Sequence, residues 1–215
     1  ENFSKKHLIV FGVNTVDKKL DKIFNSFVVV NNEFEIVYKY DKIKLVPFGE
    51  FLPFENFFSS FGLKKITFGY KSFSQGENKK NMVFNDWNIK PSICYEIIFT
   101  ELFQKSNLKN SFIINISEDV WFGDSIGPSQ HYAKSILRAV ETDSFVVRSA
   151  NKGISSFINN KGEPIKIIKA NEIGSIELDI PKIKNNIQNK NDLIFFVLLI
   201  TSIFIFIFFK KNEKR

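Results

Sequence analysis

Apolar residues along this chain fall into short runs parted by polar turns, with one long apolar run near the C-terminus. Leu8-Ile9-Val10-Phe11-Gly12-Val13 reads as a buried strand. Phe27-Val28-Val29-Val30 and Glu35-Ile36-Val37-Tyr38-Lys39-Tyr40 flank Asn31-Asn32, which predicts a hairpin. Phe54, Phe57, Phe58 and Phe61 stand at i, i+3, i+4 and i+7, the spacing of a short amphipathic helix that stops near Gly62. Lys90 to Cys94 reads as a strand, 97–105 as a helix and Phe112 to Ile116 as a strand. Residues 128–141 read as a helix with proline in its first turn and Tyr132, Ile136, Leu137 and Val140 on one side. Strands follow at 145–147, 154–158 and 165–168, the last two joined through Asn159-Asn160-Lys161-Gly162. Strands alternating with helices predict a layered α/β body.

From Leu193 to Phe209 the chain is uncharged, broken only by Thr201 and Ser202 and closed by Lys210-Lys211. As a helix this run would reach roughly 26 Å, the short end of a membrane span. A helix apolar all round has no face to offer water, so a transmembrane helix is expected over 193–209. Its place in the chain rules it out as a signal peptide. The domains expected are therefore a body over 1–183, a polar linker over 184–192, the span, and a basic tail over 210–215. The tail is the denser cluster of lysines beside the span, which places the tail in the cytoplasm and the body on the outer, periplasmic side of a bacterial inner membrane.

Composition changes this picture little. The 215 residues are 44% hydrophobic and 25% charged, as in a globular domain. The net charge of +7 is spread without a basic stripe, so no nucleic-acid partner is expected. A single cysteine excludes an intrachain disulfide. His7 and His131 are far apart and in no metal-ligand spacing with that cysteine, so both read as structural, and neither a metal nor a cofactor is expected.

Cys94 ends a short apolar strand and is followed at once by Tyr95 and Glu96. A lone cysteine there is either inert filler or a nucleophile. Acyl transfer through sulfur needs a thiolate, a base, and donors for the tetrahedral oxyanion. The turn after the strand would offer the Tyr95 backbone N–H as one donor. Upstream, Lys42-Ile43-Lys44-Leu45-Val46-Pro47-Phe48-Gly49-Glu50 places a lysine and a glutamate around a proline-glycine turn, and a cation near the sulfur would favour both thiolate and oxyanion. On their own, Glu50 reads equally as a solvated turn carboxylate and Glu96 as a charge at a helix start.

Lys42, Glu50 and Cys94-Tyr95-Glu96 together resemble the active-site elements of the nitrilase (carbon-nitrogen hydrolase) superfamily. Within it, Leu45-Val46-Pro47-Phe48-Gly49-Glu50 is similar to the corresponding run of the apolipoprotein N-acyltransferases. The resemblance continues through Asn115-Ile116-Ser117-Glu118-Asp119-Val120-Trp121-Phe122-Gly123, His131, Arg138-Ala139-Val140-Glu141 and Arg148-Ser149-Ala150-Asn151-Lys152-Gly153, and covers about residues 8 to 209. It implies an αββα sandwich followed by the C-terminal transmembrane helix. It also implies catalytic roles for Cys94, Lys42 and Glu50, supporting roles for Tyr95 and Glu96, and an acyl pocket lined by Trp121 and Phe122. The activity implied is transfer of a fatty acyl group from a phospholipid donor to the N-terminal amine of a diacylglyceryl apolipoprotein acceptor, by way of a cysteine thioester.

Two departures stand out. Glu118 occupies a position where the family pattern has an amide-type residue. The family's general-base glutamate, from a Trp-Pro-Glu-like segment ahead of the lysine, has no counterpart between Glu1 and Lys42. The expectation is an N-terminally incomplete domain, inactive by itself. A membrane-tethered amidase and a non-catalytic scaffold remain as alternatives, and trapping an acyl group on Cys94 separates all three.

Overall fold

The computed structural model describes residues 4, 6–54, 72–77, 81–103, 111–182 and 192–212. The chain divides into two units, 1–185 and 186–215.

In the first unit, Ile9–Asp17 (β1), Lys22–Val30 (β2) and Ile36–Asp41 (β3) form an antiparallel sheet in that order. Each connection is closed by a side chain that mimics a backbone turn. Asp17 accepts the N–H groups of Lys19 and Leu20 at 2.9 and 3.1 Å. Asn31 Oδ1 accepts those of Glu33 and Glu35 at 3.0 and 2.9 Å.

The second sheet holds Met82–Phe84 (β4), Trp87–Ile93 (β5), Ser111–Glu118 (β6), Phe145–Asn151 (β7), Ser155–Ile158 (β8) and Pro164–Ile168 (β9) in sequence order. β5, β6 and β7 run parallel, and the outer pairs are antiparallel. Parallel neighbours require crossovers. Between β6 and β7 that crossover contains the helix Gly127–Thr142 (α1), which has proline in its first turn.

The two sheets pack face to face. Phe27, Val29 and Tyr40 of the first meet Ile89, Ile93, Phe112 and Phe145 of the second in one apolar core. On the far side of the second sheet, Ile113, Val146 and Ile158 meet Ile97, Phe103, Tyr132 and Ala139. The described layers are thus sheet, sheet and helix, three of the four in an αββα sandwich. The outer face of the first sheet carries an open apolar groove lined by Phe11, Val13, Val28, Val30, Phe34 and Ile36.

Several sequence expectations need correction. The first strand is longer than the apolar run and is half-buried or exposed along its length rather than buried, because it lies at the sheet edge and pairs with β2 alone. The stretch expected as a helix from Ile97 is instead a 3-10 turn over Cys94–Ile98 followed by a second over Thr100–Phe103. The tight winding there accompanies Glu96, whose side chain turns back to bind backbone upstream. In α1, Leu137 and Val140 are exposed at 52% and 42%, and the buried face is mostly polar: His131, Tyr132, Ser135, Arg138, Ala139 and Thr142. Helical period alone could not distinguish that face, because His131, Tyr132 and Arg138 on it bond partners on other elements. Residues 55–62 of the expected phenylalanine helix lie outside the described residues, as does most of the linker.

The second unit contains the 21-residue helix Asp192–Asn212 (α2). Its side chains are described from 194 to 210 and all are exposed. That stretch covers roughly 25 Å against a hydrocarbon core of about 30 Å. No helix among the described residues is long and apolar enough to cross a membrane.

Phe27 is fully buried between the sheets, whereas Ile173 is fully exposed. Phe27→Ala should cost about 3–5 kcal/mol in unfolding free energy, and Ile173→Ala within about 0.5 kcal/mol of nothing, measured by denaturant titration.

Candidate active site

β5 delivers its last residue, Ile93, to the sheet's carboxyl edge, and Cys94 begins the 3-10 turn with φ 50°. For a side chain with a Cβ this left-handed conformation is strained and needs support. The support comes from Glu96, which is fully buried. Its Oε2 accepts the Ile93 N–H at 2.9 Å, while Oε1 accepts Ile43 N–H at 2.7 Å, Lys44 N–H at 3.1 Å and the Tyr40 hydroxyl at 2.8 Å. One carboxylate therefore ties the turn bearing the cysteine to the segment just after β3. Burial pushes the Glu96 carboxyl above its ordinary range, and the backbone donors pull the other way. Burial also raises the Tyr40 hydroxyl, with the Glu96 charge adding to the effect.

Lys42 sits in that tied segment and is 1% exposed. Its N–H donates to the Asn25 carbonyl at 2.8 Å, and its own carbonyl accepts from Gly76 N–H at 2.8 Å. Gly76 is required there, since a Cβ would meet the Asp41 carbonyl oxygen at 2.1 Å. Lys42 Nζ donates to both oxygens of Glu50, at 2.9 and 2.8 Å. Asn25 Nδ2 and the Val46 N–H complete the carboxylate at 2.9 and 2.8 Å. Glu50 is presented by a tight turn in which Phe48 takes φ 62° and Glu50 N–H bonds the Val46 carbonyl at 2.8 Å. It is a buried anchor for the lysine rather than a solvated turn carboxylate, and it leaves one ammonium proton free to point elsewhere.

Behind the cysteine lies a second buried group. Arg148 on β7 donates to Asp119 Oδ2 at 2.7 Å and to Asn115 Oδ1, and Asn115 Nδ2 donates to Ser92 Oγ at 3.1 Å. Ser117 Oγ donates to Asp119 Oδ1 at 2.6 Å, and His131 Nδ1 lies 3.0 Å from the same oxygen. Burial alone would raise the Asp119 carboxyl, but the His131 hydrogen bond, the Arg148 charge and the Ser117 bond together hold it below its ordinary value. The His131 ring reaches the Cys94 carbonyl oxygen, with Nε2 at 3.1 Å. In the sequence His131 reads as an isolated structural histidine, and its place at the Cys94 carbonyl emerges only in the fold. The available signal was Asn115 and Arg148, polar residues in the middle of apolar strands, which must find buried partners.

Tyr95 is half-buried with its ring edge-on to Phe99, centroids 5.0 Å apart. Trp121 and Phe122 belong to the 3-10 turn Asp119–Phe122 and are 59% and 36% exposed, with Phe122 against the His131 ring at 5.4 Å. Neither lines the groove on the first sheet. Glu118, the departure noted above, accepts from Asn151 Nδ2 at 2.9 Å on the surface. No group of three or more metal-ligating side chains occurs among the described residues.

The cysteine thus stands at the carboxyl edge of parallel strands, in a left-handed turn tied through Glu96 to the segment that carries the lysine–glutamate pair, within a two-sheet α/β fold. The carbon-nitrogen hydrolase family model matches residues 2–185, and the chain belongs to that family. It is similar to apolipoprotein N-acyltransferase of Rhizobium leguminosarum bv. trifolii, 35% identical over 162 residues, covering 75% of this chain and 30% of the relative. The chain thus spans less than a third of that relative's length. Saccharomyces cerevisiae Nit3, a member of branch 10 of the nitrilase superfamily, shares the fold with a TM-score of 0.58 at 21% identity, over 77% of this chain and 56% of that one. So does an amidase from Nesterenkonia sp. AN1, in a structure carrying acrylamide on its active-site cysteine, with a TM-score of 0.51 at 13% identity, over 77% and 60%.

Because Asp119 titrates below its ordinary value of 3.8, its contribution to stability is complete above that pH and is lost as pH falls through the folded-state pKa. Asp119→Asn leaves Arg148 without its anion and should cost about 3–5 kcal/mol near neutrality. The difference from wild type should shrink below pH 3.8; unfolding followed from pH 2.5 to 7 checks both, and a difference independent of pH would be the contrary result.

Proposed function

We propose that this chain carries part of the catalytic domain of an N-acyltransferase, which moves a fatty acyl group from a membrane phospholipid to the N-terminal amine of a diacylglyceryl-cysteine apolipoprotein. The observation that carries this reading is the Glu96 bridge, which holds the Cys94 turn and the Lys42 segment together, in a chain whose relatives bear that enzyme's name.

In the first half-reaction the Cys94 thiolate attacks the ester carbonyl of the phospholipid. The oxyanion that forms is met by the Tyr95 backbone N–H and by the Lys42 ammonium proton that Glu50 leaves free. Collapse breaks the ester C–O bond; the leaving alkoxide takes a proton and departs as lysophospholipid, leaving the acyl group on sulfur. In the second half the apolipoprotein amine attacks the thioester, the C–S bond breaks, the thiolate returns and the amine loses a proton as the amide forms. Both halves need a proton acceptor. That role is assigned to the family glutamate, for which residues 1 to 42 supply no candidate. Glu50 acts by holding Lys42, and Glu96 by holding the turn.

Trp121 and Phe122, exposed apolar side chains of which Phe122 lies against the His131 ring, suit an acyl donor that arrives from a lipid surface. The uncharged run 193–209 is proposed, from its sequence and its flanking lysines, as the segment that holds the protein in the membrane, with Lys210 and Lys211 on the cytoplasmic side and the body facing the periplasm.

In the whole protein in its membrane, Cys94→Ala should abolish both the trapped acyl adduct and transfer. Lys42→Met should slow transfer by at least about 10²-fold, the scale of losing one oxyanion donor. A lipid acyl group found on Cys94 by mass spectrometry supports the transferase; a small-acid adduct would favour an amidase, and no adduct would favour a scaffold. For the 193–209 run, the protein should stay in the pellet on alkaline-carbonate extraction, and release into the supernatant would remove that assignment.

A further inference from the structure

The Cys94 carbonyl is held from a direction that neither Glu96 nor Lys42 supplies. His131 Nε2 lies 3.1 Å from that oxygen and Asn115 Nδ2 lies 3.4 Å from it. A carbonyl only accepts, so His131 presents Nε2–H there. At its other end the ring is held by Asp119 Oδ1, 3.0 Å from Nδ1, and the Phe122 ring packs obliquely against it. Asp119 is itself fixed by Arg148 and Ser117, and Gly153 leaves room for it: a Cβ at Gly153 would come within 2.1 Å of Asp119 Oδ2. Arg148 is braced in turn by Asn115, by Ser135 at 3.5 Å and by the Ile154 carbonyl at 3.2 Å. A continuous buried line of bonds thus runs from β7 through the turn after β6 and α1 to the backbone of the cysteine.

Arg148 and Asp119 would satisfy one another without the histidine. What His131 adds is a donor to the one peptide group that follows the strained φ of Cys94. Glu96 fixes the chain on either side of the cysteine, and His131 fixes the cysteine's own carbonyl, so the direction of the Cβ–Sγ bond is determined from two sides.

We propose that His131 is a positioning residue for Cys94, oriented by Asp119 and Arg148, and that it sets the reactivity of the thiol by holding the left-handed turn. The inference rests on the reading of Cys94 as the nucleophile. Its test uses no acyl donor, so failure here is distinct from failure of the transferase reading, which is decided by the acyl adduct. Cys94 is the one cysteine of this chain, so alkylation of its peptide can be followed by mass spectrometry.

Two variants of the whole protein in its membrane separate positioning from filling. His131→Gln places an amide N–H near the position of Nε2 and can still reach the Cys94 carbonyl. His131→Asn places its amide near Nδ1, where it can still bond Asp119 but falls short of the carbonyl. Iodoacetamide should alkylate Cys94 at least about 10-fold more slowly in the Asn variant and within about 3-fold of wild type in the Gln variant, because a small displacement of a reacting group costs rate steeply. Melting temperatures taken on the same samples should not follow that order. The proposal is overturned if the Asn variant is alkylated at the wild-type rate, if the Gln variant is as slow as the Asn variant, or if the rates simply track the melting temperatures.

Discussion

One fully buried carboxylate, Glu96, holds the site together. It accepts four donors from three places: Tyr40 on β3, Ile43 and Lys44 just beyond it, and Ile93 at the end of β5. Hydrogen bonds to a charged group contribute about 1.5–3 kcal/mol each, and a buried donor left without its acceptor costs about 1–3 kcal/mol. The two sheets could pack through Phe27, Val29, Ile89 and Phe145 with some freedom to slide, since apolar contact is non-directional. The carboxylate removes that freedom at the one point where a lysine from the first sheet must be placed relative to a cysteine from the second.

The same logic recurs on the other side of the cysteine. The crossover from β6 to β7 brings Asp119, His131 and Arg148 to one buried cluster at the carboxyl ends of parallel strands, the usual place for chemistry in such sheets. Burying these charges is costly unless every one is paired. Here Arg148 faces Asp119 and Asn115, Asp119 also faces Ser117 and His131, and His131 faces the Cys94 carbonyl. Lys42 follows the same rule on the first sheet, completed by Glu50 and its two further donors. The site is built from closed polar sets embedded in apolar layers, and the strained turn at Cys94 persists because these sets surround it.

The sequence by itself determined the alternation of strands with turns, the α1 helix, the long apolar C-terminal segment, and the resemblance carried by Lys42, Glu50 and Cys94-Tyr95-Glu96. These are local signals: a strand's apolar run, a proline at a helix start, a glycine after Asn159-Asn160-Lys161, a motif of adjacent residues. Only the tertiary structure decided that β1 is an exposed edge strand, that the chain winds into a 3-10 turn at the cysteine, and that α1 turns a polar face inward. Those outcomes depend on partners distant in the chain, such as Glu96 with Ile43 and His131 with Asp119, which no period of 2 or 3.6 residues records. His131 looked like any isolated histidine in sequence, since its hydrogen-bond partners become neighbours only when β5, β6 and β7 lie side by side.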